Sequence, residues 1–263
     1  MPRNIKLTIE YDGTLFSGWQ AQERRNGHSK HLQTKPRRTV QGEIERALKK
    51  IYGKNIKLIG SGRTDSGVHA RGQVANFKMS SPMPVAEIHR ALNANLPEDI
   101  SILQAEEALL DFHARYSARS KTYRYSILNR SARSALERNT CLYYPYPLNL
   151  KAMRRESHSL IGRKDFRSFT ASDPSKAKKE KKSGTVRTIK RMEISSKGAY
   201  VCIEIEADGF LYKMVRNIVG TLLGVGSGKL PRGAIQKILA RKDRRTAGVT
   251  AQAKGLALLE VKY

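Results

Sequence analysis

Gly60-Ser61-Gly62-Arg63-Thr64-Asp65-Ser66-Gly67-Val68-His69-Ala70 is the stretch of this chain densest in residues that carry chemistry. Its glycines let the backbone bend sharply and come close to a bound molecule. It leaves one apolar run, Ile56–Ile59, and leads into another, Gly72–Phe77, so it reads as a loop between two strands. Upstream, Ile5, Leu7, Ile9 and Tyr11 alternate with polar residues as a half-buried strand does, and Val40, Ile44, Ala47, Leu48 and Ile51 recur at helical spacing. Downstream, Val85, Ile88 and Leu92 after Pro84 signal a second helix, and Ile100–Leu103 a further strand. The order is strand, helix, strand, strand, helix, strand.

The remainder repeats that order loosely. Tyr123, Tyr125 and Ile127 alternate in one strand, Leu150–Ile161 reads as a helix, and a basic strand around Arg187–Ile194 precedes another at Val201, Ile203 and Ile205. Phe210, Met214, Val215, Ile218, Val219 and Leu222 trace a broad apolar helical stripe; Pro231–Ala240 adds a short helix and Leu256–Val261 a closing strand. The sequence shows no literal repeat. The fold class this predicts is α+β: two similar halves, 1–108 and 109–263, each an antiparallel sheet with helices on one face in a ferredoxin-like βαββαβ order. The two sheets are expected to join into one continuous pseudo-twofold sheet with a central cleft.

Composition narrows the function. Among 263 residues, Lys and Arg number 50 against 23 Asp and Glu, a formal net charge of +27. Apolar residues at 39%, with 20 glycines besides, match a folded globular chain and not a disordered basic tail. No run approaches the roughly 18 apolar residues of a membrane span, and the polar start has no signal-peptide core, so a cytoplasmic location is expected. Cys141 and Cys202 lie far apart with no CxxC, which argues against a zinc site or a disulfide framework and for two buried small hydrophobes.

So large a positive charge points to an extended polyanion, whose binding releases counterions. A membrane surface would call for a basic amphipathic helix with Trp or Phe on its apolar face; Trp19 is the only tryptophan, and it reads as a core anchor. Nucleic acid leads. Three basic clusters are candidates for phosphate contact: segment 22–39 with Arg24, Arg25, Arg37 and Arg38, segment 173–184 with Lys178, Lys179, Lys181 and Lys182, and the group Arg241, Lys242, Arg244 and Arg245.

Within the glycine-rich loop, Arg63 and Asp65 are two residues apart, so on extended backbone they share a face and can pair. A neighbouring guanidinium keeps a carboxylate ionised, ready to act as nucleophile or base; the other reading is an Asp that hydrogen-bonds its own turn. Other chemistries lack their patterns. Gly224-Val225-Gly226-Ser227-Gly228-Lys229 misses the first Walker glycine, where Leu223 stands, and the Ser or Thr after the lysine, where Leu230 stands. The six histidines form neither HExxH nor a zinc-finger pattern, and there is no GxSxG elbow. No metal and no organic cofactor is indicated. On the residues alone, Tyr123 reads as a packed strand residue and Arg216 as a cation capping or flanking an apolar helix.

The loop resembles the G-R-T-D-x-G-V-H-A motif of the bacterial tRNA pseudouridine synthase A family. Glu10-Tyr11-Asp12-Gly13 with Gly18-Trp19-Gln20, and Asn93-Ala94-Asn95-Leu96-Pro97, support the resemblance. Phe112-His113-Ala114-Arg115 with Lys121-Thr122-Tyr123-Arg124-Tyr125 resembles the family's second motif, and Phe210-Leu211-Tyr212-Lys213-Met214-Val215-Arg216-Asn217 its third. The resemblance implies isomerisation of uridine to pseudouridine in the anticodon stem-loop of tRNA, at positions 38, 39 and 40, without cofactor. It implies that Asp65 is the essential carboxylate, that Arg63 pairs with it and helps hold the emptied stack open, and that Tyr123 stacks on the flipped base. Arg216 would pair with the aspartate, and Leu211 would line the cleft. A homodimer spanning one tRNA is also implied. Two departures stand out: segment 22–39 is longer and more basic than the family's loop, and Ser66 stands where Ala is common. The rival reading is a non-catalytic basic RNA-binding or chaperone module in which the same loop is a structural turn.

Overall fold

The alternation at Ile5, Leu7 and Ile9 becomes β1 (Arg3–Tyr11), whose buried apolar side chains Ile5, Leu7 and Ile9 face one way while Lys6, Thr8 and Glu10 face the other. The computed structural model describes residues 1–20, 38–171 and 184–263. They form two compact units, Met1–Ala118 with Tyr263, and Arg119–Lys262.

In the first unit, α1 (Val40–Tyr52) starts at Thr39, whose hydroxyl accepts from the Gly42 N–H, and ends at Gly53, left-handed at φ 69°. Beyond β2 (Ile59–Gly60) and β3 (His69–Met79), α2 (Val85–Asn95) leads to β4 (Ile100–Ala108). The sheet runs β4-β1-β3-β2 and every pairing is antiparallel. Ile5 faces Phe77, Leu7 faces Ala75 and Ile9 faces Gln73 across the β1–β3 ladder. These partners lie on the same face of the sheet. The apolar stripes of α1 (Val40, Ile44, Leu48) and α2 (Ile88, Leu92) are buried, and the two helices pack side by side.

The second unit holds β5 (Ser120–Leu128), β6 (Leu142–Tyr143), α3 (Leu150–Ser157), β7 (Gly162–Asp165), β8 (Val186–Lys197) and β9 (Tyr200–Ala207). They are followed by α4 (Met214–Gly226), α5 (Ala234–Arg241) and β10 (Leu256–Lys262). Its sheet runs β10-β5-β9-β8-β7, antiparallel throughout, with β6 added parallel to β5. Tyr123, Tyr125 and Ile127 face Ile205, Ile203 and Val201. The order β10-β5-β9-β8 reproduces β4-β1-β3-β2, first strand for first strand. The two units therefore share one topology although their sequences do not visibly repeat.

Several boundaries differ from the sequence reading, each for a local reason. The apolar stripe from Phe210 becomes helical only at Met214, because Lys213 adopts the left-handed conformation (φ 58°) and caps the helix there. The helix expected from Pro231 begins at Ala234, after Gly233 at φ 77°. The helix expected to reach Ile161 ends at Ser157 and tightens into a 3-10 turn over His158–Leu160. The run Ile56–Ile59 contributes only Ile59 to a strand. Trp19 is a core residue, 2% exposed, while Cys202 is only half-buried, unlike Cys141.

Candidate active site

The backbone around Asp65 is shaped by a tight turn. The Val68 N–H donates to the Asp65 carbonyl at 3.2 Å, and Gly67 stands at φ 76°. A left-handed third residue is what a type II turn requires, and glycine adopts it without strain. Asp65 itself is half-buried, and Thr64 before it is buried.

Segment 12–20 clamps this turn from outside. The Trp19 N–H donates to the Thr64 carbonyl (3.2 Å), the Gly67 N–H to the Phe16 carbonyl (3.3 Å), and the Ser66 hydroxyl to the same carbonyl (3.1 Å). Gly18, at φ 98°, permits that approach; a Cβ there would lie 2.6 Å from the Thr64 oxygen. The Trp19 ring lies against Gly60, where any side chain would strike the indole. The clamp is itself anchored: the Arg38 guanidinium grips Asp99 at 2.5 and 2.8 Å, reaches Glu43 at 2.8 Å and lies 4.3 Å from the Phe16 ring. Hydrogen bonds to these carboxylates raise the Arg38 pKa, Asp99 first. Expected as a phosphate contact, Arg38 has its charge matched by two carboxylates. Of the other candidates, Arg24, Arg25, Arg37, Lys178, Lys179, Lys181 and Lys182 lie outside the described residues, while Lys242 lies 3.7 Å from Asp165, Arg245 pairs with Asp243 and Arg244 donates to Asn217.

A second support lies beneath the turn, and the sequence reading assigned it no role. The Tyr11 hydroxyl and the Thr64 hydroxyl are 2.8 Å apart; Ser61 donates to Gln73 Oε1 at 2.6 Å, and Gln73 Nε2 donates to the Gly62 carbonyl at 3.1 Å. Burial drives the Tyr11 phenol pKa up, although hydrogen bonds with Thr64 and Gln73 pull it down. Nearby, the Gly13 N–H donates to His69 Nδ1 at 3.0 Å, and Asp12 Oδ1 is 3.1 Å from that nitrogen. Partial burial works to raise the Asp12 pKa, but the Thr14 hydroxyl and N–H, with His69, outweigh it and hold the carboxyl below its ordinary value. The one legible signal was Gln73, an amide standing in the strand row of Phe77 and Ala75, where alternation asks for an apolar side chain.

Arg63 is exposed, and its Nε donates to Gln20 Oε1 at 3.0 Å. Arg63 and Asp65 thus belong to the first unit; Tyr123, Leu211 and Arg216 belong to the second. There, the Tyr123 ring on β5 is 8% exposed and meets Phe210 edge-on, centroids 5.1 Å apart. Leu211 is half-buried and accepts from the Met214 N–H at 3.0 Å, at the entry to α4. Arg216, in the first turn of α4, donates from Nε to the Ala251 carbonyl at 2.8 Å. Residues 247–251 are pressed onto α4: a Cβ on Gly248 would lie 2.7 Å from the Thr221 Cα. Buried Asn217 accepts from Arg244 (3.0 Å) and Thr250 (2.7 Å), fixing the same segment. Among the described residues, no group of three His, Cys, Asp or Glu is placed to hold a metal ion.

The sequence pattern of the family described as tRNA pseudouridine synthase matches residues 7–117 and 157–263, taking in both units. The chain belongs to that family. Membership makes it an isomerase acting on tRNA. Relatives match from end to end: tRNA pseudouridine synthase A of Caldicellulosiruptor bescii is 49% identical over 261 residues, covering 99% of this chain and all of that one. The protein of the same name from Thermoanaerobacter pseudethanolicus is 44% identical over 261 residues, with the same coverage. tRNA pseudouridine synthase A 2 of Clostridium perfringens is 43% identical over 265 residues, again covering 99% and 100%. Among the described residues, no helix of this isomerase is long and apolar enough to cross a membrane.

Proposed function

We propose that this chain converts uridine to pseudouridine in the anticodon arm of tRNA and that the Asp65 carboxylate is its reacting group. The observation that carries the reading is the turn at Asp65, fixed from outside by Phe16 and Trp19 and from beneath by Tyr11 and Gln73, with the carboxylate-bearing residue only half-buried. A carboxylate that acts once per turnover on one atom must be ionised and aimed, and this loop is built for aiming.

The reaction breaks the N1–C1′ bond of uridine, turns the uracil while it stays bound, and joins C5 to C1′. The proton lost from C5 is balanced by one gained at N1, so no oxidant or reductant is needed. A uridine in a stem must first be turned out, at a cost of a few kcal/mol. An aromatic ring returns about 1–3 kcal/mol per stacked base. Tyr123, held in place edge-on by Phe210, is assigned that role. Arg63 is assigned to the space the base vacates, Arg216 to pairing with the carboxylate, and Leu211 to the cleft wall. The N-terminal half, 1–108, then supplies the carboxylate loop, and the C-terminal half, 109–263, the Tyr123 strand and the Arg216 helix.

The family resemblance further supports a homodimer working in the cytoplasm, with Arg24, Arg25 and Arg37 and the lysines of segment 173–184, but not Arg38, gripping phosphate. The test is to incubate the purified chain with an unmodified tRNA transcript and map pseudouridine. Pseudouridine confined to the anticodon arm is expected. Tight binding without any pseudouridine would favour a non-catalytic RNA-binding module instead.

A further inference from the structure

We propose that the buried hydroxyl–amide cluster of Tyr11, Thr64, Ser61 and Gln73 aims the Asp65 carboxylate, which makes Tyr11, Thr64 and Gln73 positioning residues for the tRNA reaction. The inference rests on Asp65 being the reacting group.

The cluster stands where the fold has no need of polarity. Gln73 faces Ile9 across the β1–β3 ladder, in the row where Phe77 faces Ile5 and Ala75 faces Leu7. It is fully buried, as is Ser61, and Tyr11 is 3% exposed. Hydrocarbon side chains would fill such a row at least as well, since a hydrogen-bonded pair replaced by apolar groups of the same shape costs little or nothing. What hydrocarbon could not do is fix direction. Gln73 Oε1 accepts from the Ser61 hydroxyl and the Val74 N–H (3.2 Å), and its Nε2 donates to the Gly62 carbonyl. Tyr11 meets the Thr64 hydroxyl. Side-chain or carbonyl atoms of residues 61, 62 and 64 are thereby pinned from within, so the chain arrives at residue 65 with little freedom left. A β-bulge between Ile9 and Tyr11 shifts the register just where the phenol must reach Thr64.

A fully satisfied buried network of this kind specifies one arrangement and tolerates few substitutes. Displacing a reacting group by about 1 Å costs as much as 100-fold in rate. Loss of one cluster hydroxyl is therefore expected to slow chemistry by about tenfold or more without weakening tRNA binding, because no member of the cluster is exposed to meet RNA.

The experiment compares Tyr11→Phe, Thr64→Val, Thr64→Ser, the Tyr11→Phe/Thr64→Val double variant and Asp65→Ala. An unmodified tRNA transcript tritiated at uridine C5 releases its label as pseudouridine forms, giving a single-turnover rate; tRNA affinity and Tm are measured alongside. Expected are slowed turnover at unchanged affinity for Tyr11→Phe and Thr64→Val, a double variant no slower than the slower single, and a near-normal rate for Thr64→Ser, which keeps the hydroxyl. Should Tyr11→Phe fail to fold, the contrast between folded Thr64→Val and Thr64→Ser decides alone. Wild-type rates in folded variants, multiplicative losses in the double variant, or losses confined to affinity would overturn the positioning role. Retained turnover in Asp65→Ala would instead overturn the assignment of the carboxylate, a separate failure.

Discussion

Replacing Gly18 with alanine tests the outer clamp on the Asp65 turn. Two penalties can be worked from the structure. At φ 98° an alanine leaves the regions open to L-residues, a strain of roughly 1–3 kcal/mol. Its Cβ would stand 2.6 Å from the Thr64 carbonyl oxygen, where ordinary contact begins at 3.4 Å, so the backbone before Asp65 must retreat by roughly 0.8 Å. A shift of that size at a reacting group costs on the order of 100-fold in rate. At about 2–4 °C per kcal/mol, the strain lowers Tm by roughly 2–12 °C. The control is Gly53→Ala: it carries the same kind of strain (φ 69°) at the end of α1, but nothing lies within 4 Å of the added methyl. Single-turnover pseudouridine formation and thermal denaturation are measured on both. The reasoning predicts lowered Tm in both variants and a lost rate only in Gly18→Ala. A folded Gly18→Ala with the wild-type rate, or an equal rate loss in Gly53→Ala, would refute it.

Further outcomes follow from the same contacts. Arg38→Ala strands Asp99, whose side chain is 22% exposed, while Glu43 keeps Arg46, and should cost roughly 1–3 kcal/mol in denaturant unfolding; an unchanged midpoint would contradict the anchoring role. Tyr123→Ala should forfeit the roughly 1–3 kcal/mol of base stacking and slow turnover accordingly, while Tyr123→Phe keeps the ring and most of the rate; equal rates for both would exclude the platform. On the acid side, the Ser120 hydroxyl and Lys262 lower the Glu206 pKa; burial works to raise that of Asp165, but the Thr185 hydroxyl, the Arg167 N–H and the charges of Arg167 and Lys242 together outweigh it and lower it. Their stabilisation is complete above the ordinary values of 4.5 and 3.8 and is lost as pH falls through the lower folded ones, which urea midpoints measured across that range will show. On the alkaline side, burial raises Tyr11, Tyr125 and Tyr263, so stability present below pH 10 should decline above it, with these phenols ionising only as the chain unfolds in an ultraviolet titration.

What the sequence made legible was local. Strict alternation over Ile5–Tyr11 and helical spacing over Val40–Ile51 identify β1 and α1, because burial of one face requires those periods. The topological repeat was only a structural expectation, since strand order is set by which apolar faces meet and leaves no repeated letters. Helix starts at Met214 and Ala234 hang on single left-handed residues, Lys213 and Gly233, of which only the glycine is a recognisable signal. The glycine-rich loop announced itself through Arg63 and Asp65, yet the contacts that hold it come from Tyr11 and segment 12–20, beyond α1 and β2 in the chain, and from Gln73 in the strand that follows. Arg38 shows the opposite error of scale: a cation in a basic run reads as a phosphate contact until Asp99, 61 residues later, is seen to take its charge.

The most direct measurement is C5 tritium release from an unmodified tRNA transcript by wild-type chain and by Asp65→Asn, an isosteric change that removes the charge and leaves the turn intact. The account predicts release by the wild type, none by the variant, and the same tRNA affinity for both. Release by folded Asp65→Asn at the wild-type rate would contradict it.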